Sequence, residues 1–197
     1  MKIRRWLLHA IAGSMVLTTG CSSTSGDVSA GTGVVGGVYL NHDRRTTGAI
    51  VDDQAVSIKA NLAISKDKEL WRQSHINTLC YNGTLLLVGQ TPDHKSKAKV
   101  DKLLADIPEI SKVYNQLTIG PVVSAATRMQ DSWITTQVKT KIVASREVGP
   151  NRVKVVTEDS KVHLMGALTA DEAETVADLA RNVKGVDEVV TIFEDAP

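Results

Sequence analysis

The side chains that could carry covalent or proton chemistry are few and scattered. His42, His75, His94 and His163 stand singly, with no thiol, imidazole or carboxylate at the spacing a metal site requires. No serine or cysteine is placed with a base and an orienting acid. Asp171, Glu172 and Glu174 form an acidic run, but it opens a predicted helix, where carboxylates complement the dipole. Gly31, Gly33 and Gly36, with Asp52 and Asp53 downstream, have the spacing of a dinucleotide fingerprint. That motif needs a preceding strand and a following helix to aim N–H groups at pyrophosphate, and here neither flanks it. The sequence therefore predicts no catalytic residues, no metal site, no cofactor and no enzyme activity. What remains is the chemistry of surfaces and thiols: Trp133 near Lys139 and Lys141, Cys80, and Cys21.

Composition narrows the surface chemistry. The chain has 197 residues, 42% hydrophobic and 23% charged, enough to bury a core in one domain or two small ones. Three Trp, three Tyr and one Phe are too few for base-stacking platforms. Three of the 23 basic residues, Lys2, Arg4 and Arg5, lie in a segment predicted to be removed, which leaves a slightly acidic remainder against 22 Asp and Glu. Without a global positive field the chain is not expected to bind nucleic acid, and any anionic partner must meet a local patch.

The first twenty residues read as an export signal: Lys2, Arg4 and Arg5, then an apolar run from Trp6 to Leu17 too short to span a bilayer. The run ends at Leu17-Thr18-Thr19-Gly20-Cys21-Ser22-Ser23, which resembles the lipobox of bacterial lipoproteins. It departs from that pattern at Thr18, where Leu is usual, with Leu17 displaced by one. The resemblance implies acylation of Cys21 as the mature N-terminus, and Ser22 in place of Asp implies sorting to the outer membrane. Several acyl chains would hold the chain firmly, where a single chain is marginal. With Cys21 lipidated, Cys80 has no disulfide partner. It shares one face of an alternating run with Ile76 and Thr78, so an inert, core-facing thiol is expected.

The remainder is one unit written twice. At a shift of 77, the stretch from Ile76 to Gly89 overlays Val153 to Gly166, and both spell strand, two-residue turn, strand, glycine. Asn82-Gly83 is a strong hairpin signal and Asp159-Ser160 a weaker copy. Gly89 and Gly166 mark a backbone position that a side chain would obstruct. Upstream, a helix is expected after Asp53 or Asp131 as its cap, with Val56, Ala60 and Ile64 matching Ile134, Val138 and Ile142 as a buried stripe. Downstream, a second helix follows Thr91-Pro92 or Thr169. Each copy then closes with a strand, Ser111 to Ile119 or Val186 to Glu194. The predicted fold is α+β: two tandem α-β-β-α-β units, each a three-stranded mixed sheet packed on two helices. Units this small bury little alone, so the two are expected to dock. The expected layout is a signal over 1–20, a lipidated cysteine and flexible tether over 21–50, domains over 51–120 and 131–195, and a linker over 121–130.

This doubled unit behind a lipobox resembles the dual BON-domain outer-membrane lipoproteins. The stretch from Asp131 to Lys139 and the hairpin segment from Leu85 to Gln90 are especially typical. The resemblance implies an outer-membrane protein on the periplasmic face that binds anionic phospholipid and supports envelope integrity. In some members it also implies collection at division sites. It brings no catalytic residues.

Helical geometry, at about 100° per residue, then picks out a surface. With Ile134, Val138 and Ile142 inward, Trp133 points outward together with Thr136, Thr140 and Val143, flanked by Lys139 and Lys141. An indole among small and apolar neighbours between two lysines suits the headgroup layer of an anionic membrane. The other reading of Trp133 is a contact between the two copies. In the first copy the matched face carries Ala55 with Ile58 and Leu62, and the outer face of its sheet carries Leu79, Leu86 and Val88. These five apolar residues are expected to dock against a partner, either the other copy or an envelope protein. The alternative function is accordingly an adaptor between envelope proteins.

Overall fold

The structure is a computed structural model that describes residues 43–196. In the first copy, α1 (Thr47–Ser65) and a short α2 (Lys68–Gln73) lead to the hairpin of β1 (His75–Tyr81) and β2 (Thr84–Thr91). Then come α3 (His94–Leu104) and a third strand in two pieces, β3 (Lys112–Asn115) and β4 (Thr118–Ile119). The second copy consists of α4 (Ala125–Ser145), β5 (Val153–Glu158), β6 (Lys161–Leu168), α5 (Ala170–Arg181) and β7 (Glu188–Asp195). Each hairpin is antiparallel and each last strand lies parallel to the hairpin's second strand, as the helical crossover requires. The registers are the same, with Ile76 opposite Gly89 and Val153 opposite Gly166.

The helices begin earlier than their sequence signals suggest. Thr46 caps α1 and Ser124 caps α4, each side chain accepting a backbone N–H from three residues on. Asp53 and Asp131 are therefore not caps. Both lie inside their helices, buried, and each turns its carboxylate onto the hairpin turn of its own copy. Asp53 accepts from the N–H groups of Asn82 at 2.8 Å and Gly83 at 3.0 Å; Asp131 accepts from Asp159 and Ser160, both at 2.9 Å. All four turn residues hold positive φ, the geometry of a tight hairpin, and the turn amides that this leaves facing inward find their acceptors on the helix.

Three further departures have local causes. The closing strand of the first copy breaks at Gln116 and Leu117, where Leu117 drops into the core and its N–H bonds the Asn115 side chain. Helix α2 has no counterpart in the α-β-β-α-β plan; Asp67 caps it and Leu70 anchors it in the core. The end of the expected tether is ordered, since Arg44 bonds the carbonyl of Ala167 and the carboxylate of Glu172, and Arg45 bonds Asp53.

Two cores lie between helices and sheets, built on the stripes Val56, Ala60, Ile64 and Ile134, Val138, Ile142. A third joins the copies. Strand alternation sends Leu85 and Leu87 inward and Leu86 and Val88 outward, where they meet Met165 and Ile192 of the second copy with Tyr81. Leaving Leu86, Val88, Met165 and Ile192 in water would cost roughly 1.5–3 kcal/mol each, which holds the two small units together.

The strand-end glycines carry a testable consequence. A Cβ on Gly89 would lie 1.9 Å from the carbonyl oxygen of His75, and one on Gly166 would lie 2.3 Å from that of Arg152. Gly89 also holds a φ of 125°. Gly89→Ala is expected to destabilise by more than about 3 kcal/mol in urea unfolding, and Gly166→Ala by less, because only its clash must be relieved. A Gly89→Ala protein as stable as the parent would refute the close approach.

Candidate functional site

The outward face of α4 is set from beneath. Asp131 points at the hairpin turn and Ile134, Val138 and Ile142 are buried, so the rotation of the helix has no freedom left. Trp133 is consequently turned out and is 49% exposed, with Val143 at 56%. Thr136 and Thr140 lie exposed between them, and each hydroxyl donates back to a helix carbonyl, Thr136 to Ser132 at 2.9 Å and Thr140 to Thr136 at 2.8 Å. With the hydroxyls satisfied inside the helix, their methyl groups can enter a medium of low dielectric at little cost. Lys139 is exposed and Lys141 half-buried, and neither makes an ion pair among the described residues. Arg128 is likewise exposed and unpaired.

Met129 belongs to this face and sequence reasoning missed it. It is 75% exposed, one turn before Trp133. Taking Asp131 for the cap assigned residues 125–130 to the linker; the Ser124-x-x-Thr127 pair was the signal that the helix starts sooner. From Met129 to Val143 the face runs about 21 Å at 1.5 Å per residue.

The five apolar residues expected to dock divide into two groups. Leu86 and Val88 are fully buried, and with Leu79 they belong to the cluster that joins the copies. Polar contacts ring it: Glu158 accepts from Asn77 at 3.0 Å and Gln90 at 2.9 Å, Tyr81 Oη accepts from the Ala167 N–H, and Glu194 accepts from Asn82 and Thr84. Ile58 and Leu62 are elsewhere, 51% and 58% exposed on α1.

The remaining reactive groups are structural. Cys80 is buried, and its Sγ donates to Asp53 Oδ1 at 3.3 Å; burial, then the neighbouring carboxylate, push the thiol up to about 12. The row it sits in is thus less apolar than expected. Asp53 is pushed up by burial but held below the usual carboxylate range by the N–H groups of Gly83 and Asn82, the Cys80 thiol and Arg45. Arg45 stacks its guanidinium 4.0 Å from the centre of the Tyr81 ring. Among the described residues no group of His, Cys, Asp and Glu could hold a metal ion. Cys21, His42 and the Gly31, Gly33 and Gly36 run lie outside the described residues.

Comparison with known proteins fits this architecture. The BON domain family model matches twice, over residues 51–121 and 130–193. Outer membrane lipoprotein DolP of Haemophilus influenzae is 34% identical over 191 residues, 95% of this chain and 94% of its own. A 21 kDa hemolysin of Actinobacillus pleuropneumoniae is 36% identical over 151 residues, 77% and 78% of the two chains. A solved chain, the C-terminal domain of CdsD from the type III secretion system of Chlamydia trachomatis, covers 74% of this chain and 67% of its own at 20% identity and a TM-score of 0.30.

The buried groups make stability depend on pH. His163 lies on β6, 3% exposed, with no partner for Nδ1 among the described residues, and burial pushes its imidazole down to about 4. Its folded value lies below the unfolded one near 6.5, so its neutral form stabilises the fold fully above about pH 6.5. That contribution drains away as pH falls towards about 4, a loss of roughly 3 kcal/mol. Asp53 adds a second loss at lower pH. Its stabilisation is present above the unfolded value of 3.8 and disappears as pH falls through its lowered folded value. Urea midpoints measured from pH 7 downwards should fall steeply in the histidine window, and His163→Leu should flatten them there. A His163→Leu profile parallel to the parent's would assign the acid sensitivity to another group.

Proposed function

Because this chain belongs to the BON-domain family, we propose that it is an outer-membrane lipoprotein that binds anionic phospholipid through the second copy and supports the integrity of the envelope. The observation that carries this reading is Trp133, half in water on a face whose rotation is fixed, between cations that have no internal partner. An indole prefers the boundary between headgroups and acyl chains, and Met129 and Val143 extend the apolar strip on either side of it. Lys139, Lys141 and Arg128 meet phosphates, each contributing about 1 kcal/mol near a charged surface. The slight negative charge of the chain as a whole means that attraction must come from local patches such as this one.

Anchoring is the second element of the proposal. Acylation of Cys21 would hold the folded part at the periplasmic face of the outer membrane. The relative named as an outer membrane lipoprotein matches 95% of this chain, a span that takes in Cys21. Binding by α4 then acts on a membrane already close by, where a modest intrinsic affinity suffices.

The adaptor reading keeps one observation in its favour, the exposed Ile58 and Leu62 on α1. Vesicle binding separates the two. Trp133→Glu should sharply weaken binding to anionic vesicles while leaving the fold intact, because its side chain belongs to neither core cluster. Raised salt should weaken binding without ending it, since ion pairing is screened and insertion is not. Ala55→Glu, at the matched site of the first copy, should leave binding nearly unchanged. Wild-type binding by Trp133→Glu, or its unfolding, puts the adaptor first. For the anchor, mass spectrometry of the envelope protein should find an acylated N-terminal Cys21, and Cys21→Ala should release or retain an unmodified chain; an unmodified N-terminus elsewhere in the parent would end the lipoprotein reading.

A further inference from the structure

Both tryptophans among the described residues stand half in water: Trp133 is 49% exposed and Trp71 is 47% exposed. A fold that buries Tyr81 almost completely has not placed its two largest apolar side chains in any core. Trp71 has no part in the face of α4. It stands on α2, whose Leu70 is buried in the first core and so fixes which way this short helix is turned.

The fold itself does not require α2. At the shift of 78 that aligns α1 with α4, Trp71 falls on Gly149, and the second copy closes the same corner with a left-handed Arg146 and one turn of 3-10 helix from Pro150 to Arg152. The first copy thus folds the same corner, one residue longer, as a helix that presents an indole, while Leu70 and its match Val148 are both buried. Within five residues of Trp71 along the chain, Lys66, Lys68 and Arg72 are exposed, and none of them makes an ion pair among the described residues. Of the nearby carboxylates, Asp67 is occupied, capping Leu70 and paired with Lys99, and Glu69 is exposed. Leu62, 58% exposed, lies one turn before Lys66 on α1 and accepts its N–H.

We propose that this corner of the first copy, Trp71 with Leu62, Lys66, Lys68 and Arg72, is a second contact with an anionic bilayer surface, distinct from the face of α4. The charge decides the occupant: three unpartnered cations against one free carboxylate suit a surface of phosphates, and an indole among them suits the depth just below.

Single-tryptophan chains test this. The full chain carrying Trp6→Phe and Trp133→Phe reports on Trp71, and the chain carrying Trp6→Phe and Trp71→Phe reports on Trp133. Each is reconstituted with vesicles of phosphatidylglycerol and phosphatidylcholine or of phosphatidylcholine alone, with brominated acyl chains as quencher. Trp71 emission should shift to shorter wavelength and lose most of its intensity on the anionic vesicles only. Lys66→Gln, Lys68→Gln and Arg72→Gln together should abolish both changes. Emission from Trp71 that stays as in solution overturns the proposal, and so does equal quenching in both lipids or quenching that survives loss of the three cations. The Trp133 chain keeps the readings apart: quenching of Trp133 with Trp71 silent leaves the α4 face standing alone, and silence of both removes the two together.

Discussion

A buried carboxylate on each first helix, held by the two amides of the hairpin turn, sets the geometry on which everything else depends. It is an expensive device, since an aspartate taken out of water loses its hydration. The two N–H groups compensate, and in the first copy Arg45 and the Cys80 thiol add to them. In return the helix cannot roll. At about 100° per residue, Trp133 lies nearly opposite Asp131, so the bond that fastens α4 to the turn is the same bond that turns the indole outward. The clamp also supports Asp159 and Ser160 at positive φ, a conformation that Asp enters occasionally and Ser rarely.

The second constraint is the meeting of the two sheets. A three-stranded sheet with helices on one side has a bare apolar face, and each copy supplies what the other lacks: Leu86 and Val88 lie against Met165 and Ile192. This contact uses up the outer sheet faces and leaves helix surfaces as the places where the molecule can meet anything else. It is bordered by polar bonds, Glu194 to Asn82 and Thr84 at a half-exposed rim, and Asn77 and Gln90 to Glu158, whose carboxylate is buried. A buried acceptor left without its donor costs more than the bond contributes, so the ring selects one arrangement of the two sheets among the many that apolar contact alone would allow.

Much of this was legible in the chain because the fold is written twice. A position that is apolar in both copies at one shift, such as Ile64 and Ile142, is a core position whatever the propensity of its neighbours. The hairpins and the two glycines were readable for the same reason. What misled was Asp before an apolar stripe, which has the look of a helix cap. The residue types that cap a helix are those that bind turn amides, and only the third dimension tells which amides are near. From that one substitution of partner followed the late helix start and the loss of Met129 from the candidate face. Helix α2 escaped for the opposite reason: six residues held by a single buried leucine have too little periodicity to register. Leu79, Leu86 and Val88 could be recognised as needing cover, but pairing them with a particular surface required the register of both sheets.

Duplication also shows where function can reside. Matched positions that point inward keep their character, because each must fill the same space between the same elements. Matched positions that point outward do not: exposed Ala55 stands where the second copy has Trp133, and the exposed Trp71 of α2 has no exposed counterpart in the second copy. The fold places no demand on those sites, so what stands there answers to the surroundings of the protein rather than to its stability. An exposed indole works against solubility and contributes nothing to either core. An exposed indole near unpaired cations in each copy, at positions that the repeat does not relate, is what contact with a charged membrane surface would ask of this scaffold.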